Sequence, residues 1–511
     1  MGTYFFTYLC SALLAILITP VIILLARRLN MLDFLNARKV HFKPIPRIGG
    51  TAIFTAATIM MIAMLFLDNS IGEAIRSVKN QVLALLAAGA FIFLTGLIDD
   101  LYGLRARYKL LAQIIAATGV CIAGVQIKSL NVANLFTIDF GWLSIPITVF
   151  WIISITNAVN LIDGLDGLAA GISAIACAII AIFAFTIAQN LMVIFMLALL
   201  GSLSGFLLFN FNPARIFLGD CGSMYLGFIL ASTSVMCAIK SGTMVALALP
   251  AIALGLPIFD TIFSVLRRYI GRWGIMSADR GHLHHKLLDM GLRHRHVVLI
   301  MYAITILAAG LGMFMMITSG GGTVAIFICE IMLLLLIFRA FNTVHLREII
   351  AKLRYNKVIS NEAKKDVDVF EDTHLKFHKT MSFKEWWQAV SEMAEKEGFL
   401  ELCLTATAKS GRSHRFIWHR RNGEQNQDEI ISMRLPIGGH RFGLPMRIEA
   451  KMSANGLLES AGRRMMLFGR LIDEYSITNP SNNEENASIL ELRKTKQSFE
   501  AKREPSTAAA L

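Results

Sequence analysis

Charge is scarce in this sequence: only 17% of its 511 residues are Asp, Glu, Lys or Arg, 55% are hydrophobic, and the mean hydropathy is +0.58. Such a chain has too little polar surface to live wholly in water, and most of it belongs in lipid. Cysteine is sparse too, and no two of the seven have metal-site spacing; Cys10, Cys121, Cys177, Cys237 and Cys329 sit inside apolar runs, Cys221 borders one, and Cys403 is in the tail. That excludes a disulfide framework. No Gly-x-x-x-x-Gly-Lys-Ser/Thr stretch occurs, so ATP hydrolysis is not implied. Neither a basic segment before the first apolar run nor a small-residue cleavage site after it is present, so that run reads as a retained span and not as a removable signal. The net charge of +13 does not point to nucleic acid, because Lys and Arg cluster between long apolar runs, where lipid-facing topology puts them.

What is there is a series of apolar segments. A bilayer core needs about 20 apolar residues per helix, and eleven segments fit that template: Phe5 to Ala26, Gly50 to Leu67, Val82 to Ile98, Leu110 to Gln126, Ile145 to Ile155, Leu168 to Ala188, Leu191 to Phe209, Ser223 to Ile239, Met244 to Leu266, Val297 to Ile317 and Thr323 to Phe338. They are too long and too uniformly apolar for barrel strands, so helices are the expected spanning form. Loops on one side carry seventeen Lys and Arg residues, from Arg27 to Arg295, and those on the other carry four, Arg76, Lys79, Lys128 and Lys240. The positive-inside rule then puts the N-terminus outside and the C-terminal tail in the cytoplasm.

The expected fold is an all-α polytopic membrane protein of about eleven transmembrane helices with a small C-terminal cytoplasmic α+β module. Residues 1–341 form the membrane domain, 342–380 a basic helical linker beginning with Leu346 to Lys357, 381–478 the module, and 479–511 a polar, disordered tail. Within the module, Arg415 to His419, Ile430 to Pro436 and Leu444 to Ala450 alternate like strands, and Leu457 to Tyr475 reads as an amphipathic helix.

The acidic and histidine clusters fall at the ends of different spans, all on the basic side. They are Gly96-Leu-Ile-Asp99-Asp100, Asn157-Ala-Val-Asn160-Leu-Ile-Asp163-Gly164-Leu-Asp166-Gly167, Asn210-Phe-Asn212 through Arg215, Phe217 and Gly219-Asp220-Cys-Gly222-Ser223, and His282-Leu-His284-His285. Adjacent carboxylates at the end of an apolar run repel each other and are costly without a cation, unless they form a solvated turn. Small residues around Asp220 let backbone approach a phosphate and start a helix, and the structural reading of that aspartate, an N-terminal cap, is compatible with such a role. Asp163 and Asp166 share a face if the segment is helical, although Gly164 and Gly167 favour an irregular turn lining a cavity. Between Arg267 and His296 there are seven basic side chains, Arg280 among them, with five histidines, a set suited to a diphosphate. No nearby Cys or carboxylate completes a zinc set there. Asp260, inside the ninth span, reads either as functional or as a partner of Arg267 or Arg268. His41, Lys43 and Arg47 read as either substrate-side or topogenic charge, and Lys109 as a phosphate partner or a snorkelling lysine.

As a set over residues 1–340, these blocks resemble the polyprenyl-phosphate N-acetylhexosamine-1-phosphate transferase family (glycosyltransferase family 4), which includes the phospho-MurNAc-pentapeptide translocase of peptidoglycan synthesis. Pro46-Arg-Ile-Gly49-Gly50, the Asp99-Asp100 pair followed by Arg105 and Lys109, and His282-Leu-His284-His285 resemble the branch that transfers GlcNAc 1-phosphate from UDP-GlcNAc to undecaprenyl phosphate. The peptidoglycan branch would show Pro-Thr-Met-Gly-Gly and three successive histidines instead.

The resemblance implies a multi-pass enzyme of the bacterial inner membrane with a cytoplasmic active site, in which UMP leaves as the polyprenyl phosphate attacks the sugar-bearing phosphorus. It assigns Mg²⁺, with Mn²⁺ as the substitute, to Asp220 and Asp100, and a catalytic role to Asp99, Asp100, His282, His284 and His285. It assigns substrate binding to Lys43, Lys109, Asn160, Asp163, Asp166, Asn210, Phe217 and Arg280, with Phe217 stacked on the uracil, Asp166 beside it and Asp163 near the phosphates. Expected partners are the UDP-sugar, the polyprenyl phosphate and the bilayer, with a homodimer left open. The competing class is a transporter or flippase for lipid-linked sugars, which alternating access would supply with polar sites near the midplane rather than on one face.

Overall fold

The computed structural model describes residues 2–474 except 30, 34–44, 67–78, 133, 242, 271–280, 319, 342–345, 378–382, 408–412, 421–429, 438–445 and 455–457. The expected disordered tail, 479–511, and the candidate residues His41, Lys43 and Arg280 lie outside the described residues. The chain divides into two compact units, residues 1–349 and 350–511.

The first unit is a helical bundle with two short hairpins, β1 (Leu32–Asp33) with β2 (Ile45–Pro46) and β3 (Ser129–Val132) with β4 (Phe136–Asp139); its helices are α1 (Gly2–Arg28), α2 (Gly50–Leu65), α3 (Lys79–Tyr102), α4 (Ala106–Ile122), α5 (Ser144–Ile162), α6 (Leu168–Thr186), α7 (Asn190–Asn210), α8 (Gly219–Ser241), α9 (Val245–Ala253), α10 (Gly255–Ile270), α11 (Leu283–Asp289), α12 (His294–Met313) and α13 (Gly321–Ala340). Among the described residues, eight helices are long and apolar enough to cross a membrane, or nine if the α9–α10 pair counts as one span. This is a polytopic membrane protein. Helices α2 and α4 stand where two further spans are expected, with 16 and 17 residues.

Two segments differ from their sequence reading. The short fifth run is a helical segment of 22 residues from Gly141 to Ile162. Its polar residues interrupt the apolar pattern but bond back along the helix, Thr148 to the Ser144 carbonyl, Thr156 to that of Ile152 and Asn157 to that of Ile153. Met244 to Leu266, read as one span, is bent by 74° between α9 and α10. Pro257, lacking an N–H, sits in the first turn of α10, and Gly255 at the break leaves room for Leu334 of α13.

Close helix contact is made by small residues. Gly201 and Gly205 of α7, four apart, lie against the Tyr8 and Ala12 carbonyls of α1, where a Cβ would collide with backbone. Helix α8 is the axis of the unit, with α2, α3, α5, α6 and α9 packed around it.

The second unit has its own core. Most of α14 (Leu346–Phe377), then α15 (Phe383–Lys396) and α16 (Leu458–Glu474), accompany an antiparallel sheet of β5 (Phe399–Thr407), β6 (Ser413–His419), β7 (Ile430–Ile437) and β8 (Met446–Ser453), ordered β6-β5-β8-β7. Alternate residues of β5, Leu402, Leu404 and Ala406, point into a core with Trp386, Phe399, Ile448 and Phe468. Two of the expected strands, β6 and β8, thus flank β5, which the sequence reading did not name, and the third, β7, pairs with β8.

Candidate active site

The site begins where α3 stops. Gly103, at φ +71°, ends the helix, and the Leu104 N–H donates to Asp99 Oδ1 at 2.6 Å, fixing Asp99 at the last turn. One residue on, Asp100 turns toward the N-terminus of α8. Its Oδ1 accepts from the Asp220 N–H and its Oδ2 from the Cys221 N–H, both at 2.9 Å. A carboxylate there satisfies two orphan donors and meets the positive end of the helix dipole. The N-terminal cap of this helix therefore comes from Asp100 on another helix, and Asp220, in the first turn, is left to Lys109 and Arg47.

Two cations bind the carboxylates together. Lys109, in the first turn of α4, donates from Nζ to Asp99 Oδ2 at 2.8 Å and to Asp220 Oδ2 at 2.9 Å. Arg47 sets Nε 3.3 Å from Asp100 Oδ1 and Nη2 3.4 Å from Asp220 Oδ1. Arg47 is held in place by backbone: the Gly49 and Gly50 N–H groups donate to the Phe217 and Leu218 carbonyls at 2.9 and 2.8 Å, and the Phe217 N–H donates to the Pro46 carbonyl at 2.8 Å. A Cβ on Gly50 would strike Gly222, and one on Gly96 would come within 2.5 Å of Cys221 Cα. These glycines are what let three segments meet at one point.

A second group forms around the turn between α5 and α6. Asp166 Oδ2 accepts from Asn212 Nδ2 at 2.9 Å and from the Ala214 N–H at 3.1 Å, tying the turn to the segment after α7. Gly167 takes φ +78°, and its carbonyl accepts from the Tyr302 hydroxyl of α12. Asn160 donates to Ser223 Oγ at 2.9 Å, which links this turn to α8, while Asn210 is buried and donates to the Ile216 carbonyl at 2.8 Å. Asp163 has no hydrogen-bond donor among the described residues, and burial with the charges of Asp220 and Asp100 pushes its carboxyl up to about 8.

The histidines close the site from the other side. His282 Nδ1 lies 2.8 Å from Asp260 Oδ2, and the Leu283 N–H donates to Asp260 Oδ1 at 3.0 Å. His284 is 1% exposed, and burial, with the nearby His285 charge, holds its imidazole down near about 3, so it is neutral at pH 7. Its Nε2 packs on Gly164, where an added Cβ would sit 2.8 Å away, and the His285 ring centroid is 4.4 Å from its own.

Three separately read clusters are thus neighbours: the Asp99, Asp100, Asp220 and Lys109 group, the Asp163–Asp166 turn, and the histidines. The sequence reading of Arg47 did not single out its pairing with Asp100 and Asp220, and Asp260, read either as functional or as a partner of Arg267 or Arg268, pairs with His282. Tyr302, Asn212 and Ser223 were not foreseen; the polar blocks holding Asn212 and Ser223 were the available signal, and Tyr302 had none.

The model of glycosyl transferase family 4 matches residues 82–238, which hold Asp99, Asp100, Lys109, Asp163, Asp166 and Asp220. The chain is 38% identical over 299 residues, 58% of its length, to the probable undecaprenyl-phosphate N-acetylglucosaminyl 1-phosphate transferase of Bacillus subtilis (strain 168), of which this covers 80%. The chain belongs to glycosyl transferase family 4. The decaprenyl-phosphate N-acetylglucosaminephosphotransferase of Mycobacterium tuberculosis (strain ATCC 25618 / H37Rv) is 34% identical over 318 residues, 58% of this chain and 78% of the relative. The phospho-N-acetylmuramoyl-pentapeptide-transferase of Staphylococcus carnosus (strain TM300) is 33% identical over 244 residues, 44% of this chain and 73% of the relative. The family expected from the motif set is borne out, and with it a membrane-embedded transferase.

Proposed function

We propose that this chain transfers GlcNAc 1-phosphate from UDP-GlcNAc to undecaprenyl phosphate, releasing UMP, at the cytoplasmic face of the bacterial inner membrane, as the first membrane step of a cell-surface polysaccharide. The observation that carries this reading is the meeting of Asp99, Asp100 and Asp220 with Lys109 and Arg47 at helix ends, beside a turn that presents Asp163 and Asp166. The Bacillus subtilis relative, named for this reaction, supports the sugar and the lipid. The one-sided distribution of Lys and Arg supports the orientation, with the N-terminus outside.

The carboxylates suit Mg²⁺. Asp163 lacks a donor and feels the negative charges of Asp220 and Asp100 against the opposing charge of Arg47, a setting that an added cation would relieve. Mg²⁺ takes one or two carboxylates and completes its shell with water and substrate phosphates. Asp220 and Asp163 would hold it. Asp100, a ligand in the sequence reading, accepts from the Asp220 and Cys221 N–H groups and keeps a lone pair on each oxygen for the same ion, as Asp220 does beside Lys109 and Arg47. When bound, Mg²⁺ supplies charge neutralisation at the phosphates.

The protein's own groups do the remaining work. Lys109 and Arg47 neutralise phosphate oxygens, and Asp99 orients the lipid phosphate through Lys109. An oxygen of that phosphate forms the new P–O bond to the sugar-bearing phosphorus as the bond to UMP breaks. A phosphate monoester has a second pKa near about 6, so no strong base is needed. Asp166 with Phe217 faces the nucleotide, and the histidines approach the diphosphate from the Gly164 side. Catalysis rests on alignment and charge neutralisation.

Purified chain given radiolabelled UDP-GlcNAc, undecaprenyl phosphate and Mg²⁺ is expected to release UMP and label the lipid, and Asp220→Asn is not. Equal product from Asp220→Asn would overturn the cation assignment. Failure with every UDP-HexNAc would overturn the reaction.

A further inference from the structure

We infer that Asp260 is a positioning residue for the transfer, acting through His282; this rests on the proposed reading of the histidine cluster as part of the catalytic machinery. Asp260 sits in α10, 3% exposed, and both its oxygens are taken by one short segment: Oδ2 by His282 Nδ1 at 2.8 Å and Oδ1 by the Leu283 N–H at 3.0 Å. The Leu283 bond is ordinary capping of α11. The bond to the imidazole is not required by a cap, and it has a chemical consequence. A carboxylate only accepts, so the proton of that bond sits on Nδ1. Rotating the ring by half a turn would put a carbon against the carboxylate, so the orientation is fixed as well as the position of that proton.

The effect extends past one ring. The His282 and His284 rings are parallel within 9°, with centroids 5.5 Å apart, and His284 in turn packs on Gly164, next to Asp163. Asp260 therefore sets the depth and register of the imidazoles against the turn that faces the nucleotide. It touches no reacting atom in the proposed site. Its arrangement is that of a base oriented by a third group.

The test is a double-mutant cycle on the purified full chain, with UMP release from UDP-GlcNAc and undecaprenyl phosphate as the readout. Asp260→Asn is expected to lower kcat by on the order of tenfold to a hundredfold, with KM for the UDP-sugar moving by less than about twofold. Asp260→Glu is expected to recover part of the loss, and it carries the test if Asp260→Asn does not fold. In a His282→Ala background, Asp260→Asn is expected to cost nothing further, because the group it acts through is gone. Nitrogen-15 spectra of histidine-labelled protein give a readout independent of turnover: the imidazole missing in His282→Ala should carry its proton on Nδ1 in the parent and lose that signature in Asp260→Asn. An equal loss from Asp260→Asn in the presence and absence of His282 would overturn the inference while leaving the proposed reaction intact. Parental activity in His282→Ala would overturn the catalytic reading of the histidines, and the inference with it.

Discussion

Lys109 is the side chain with most to lose by truncation. Its ammonium is shared by Asp99 and Asp220, so Lys109→Ala leaves two carboxylates facing each other without the cation between them. The expected outcome is a fall in UMP release of on the order of a hundredfold or more, measured with the protein still monodisperse in detergent. A different acid controls pH behaviour in the second unit. Burial and the charge of Asp366 push Glu397 up to about 7, against the opposing pull of Arg464. Because the folded state holds this proton more tightly than the unfolded chain, the stability it contributes is whole below the usual Glu range near about 4.3 and is lost as the pH rises through 7. Hydrogen-exchange protection of Phe399–Thr407, corrected for intrinsic rates, should fall over that window in the parent and stay flat in Glu397→Gln. At this scale the sequence exposed Asp99, Asp100, Lys109 and Asp220, since polar residues at the ends of apolar runs are conspicuous. It did not expose the pairing of Arg47 with Asp220, 173 residues away, because nothing local distinguishes a guanidinium that joins a site from one that only sets topology.

At the scale of elements, the junction of α2, α3 and α8 depends on the absence of side chains. Gly96→Ala would force a methyl within 2.5 Å of Cys221 Cα, and Gly50→Ala would press on Gly222 backbone. Each is expected to cost about 1–3 kcal/mol through overpacking, seen as a lower thermal midpoint in detergent. Asp100→Ala removes the capping carboxylate of α8 and is expected to cost about 1–2 kcal/mol from that alone; activity should fall further than stability, because Asp220 leaves its place as the cap goes. Helix positions were readable from apolar length, and the soluble strands from alternation. The bend between α9 and α10 was not, because a run such as Met244 to Leu266 stays apolar through its break and Pro257 is equally at home in a first turn or a kink. The fifth span was underestimated for the opposite reason, since its threonines and Asn157 lower the apolar count while satisfying their own polar groups.

At the scale of the molecule, every candidate residue described above lies in the first of the two units. A chain ending after Ile349 is therefore expected to keep transfer within a few-fold of the full chain, checked by UMP release from equal amounts of folded protein. Inactivity of a well-folded truncation would instead give the second unit a part in the reaction. Helix α8 has a consequence of its own. Enclosed by α2, α3, α5, α6 and α9, it has almost no surface to offer to acyl chains. When lipids lengthen or shorten, it is the outer helices, such as α1 with Phe5, Leu17 and Leu24 exposed, that must tilt to match them. The mouth of α8, where Asp220 stands, then keeps its depth, and turnover in bilayers of different thickness should vary less than the tilt of the helices around it.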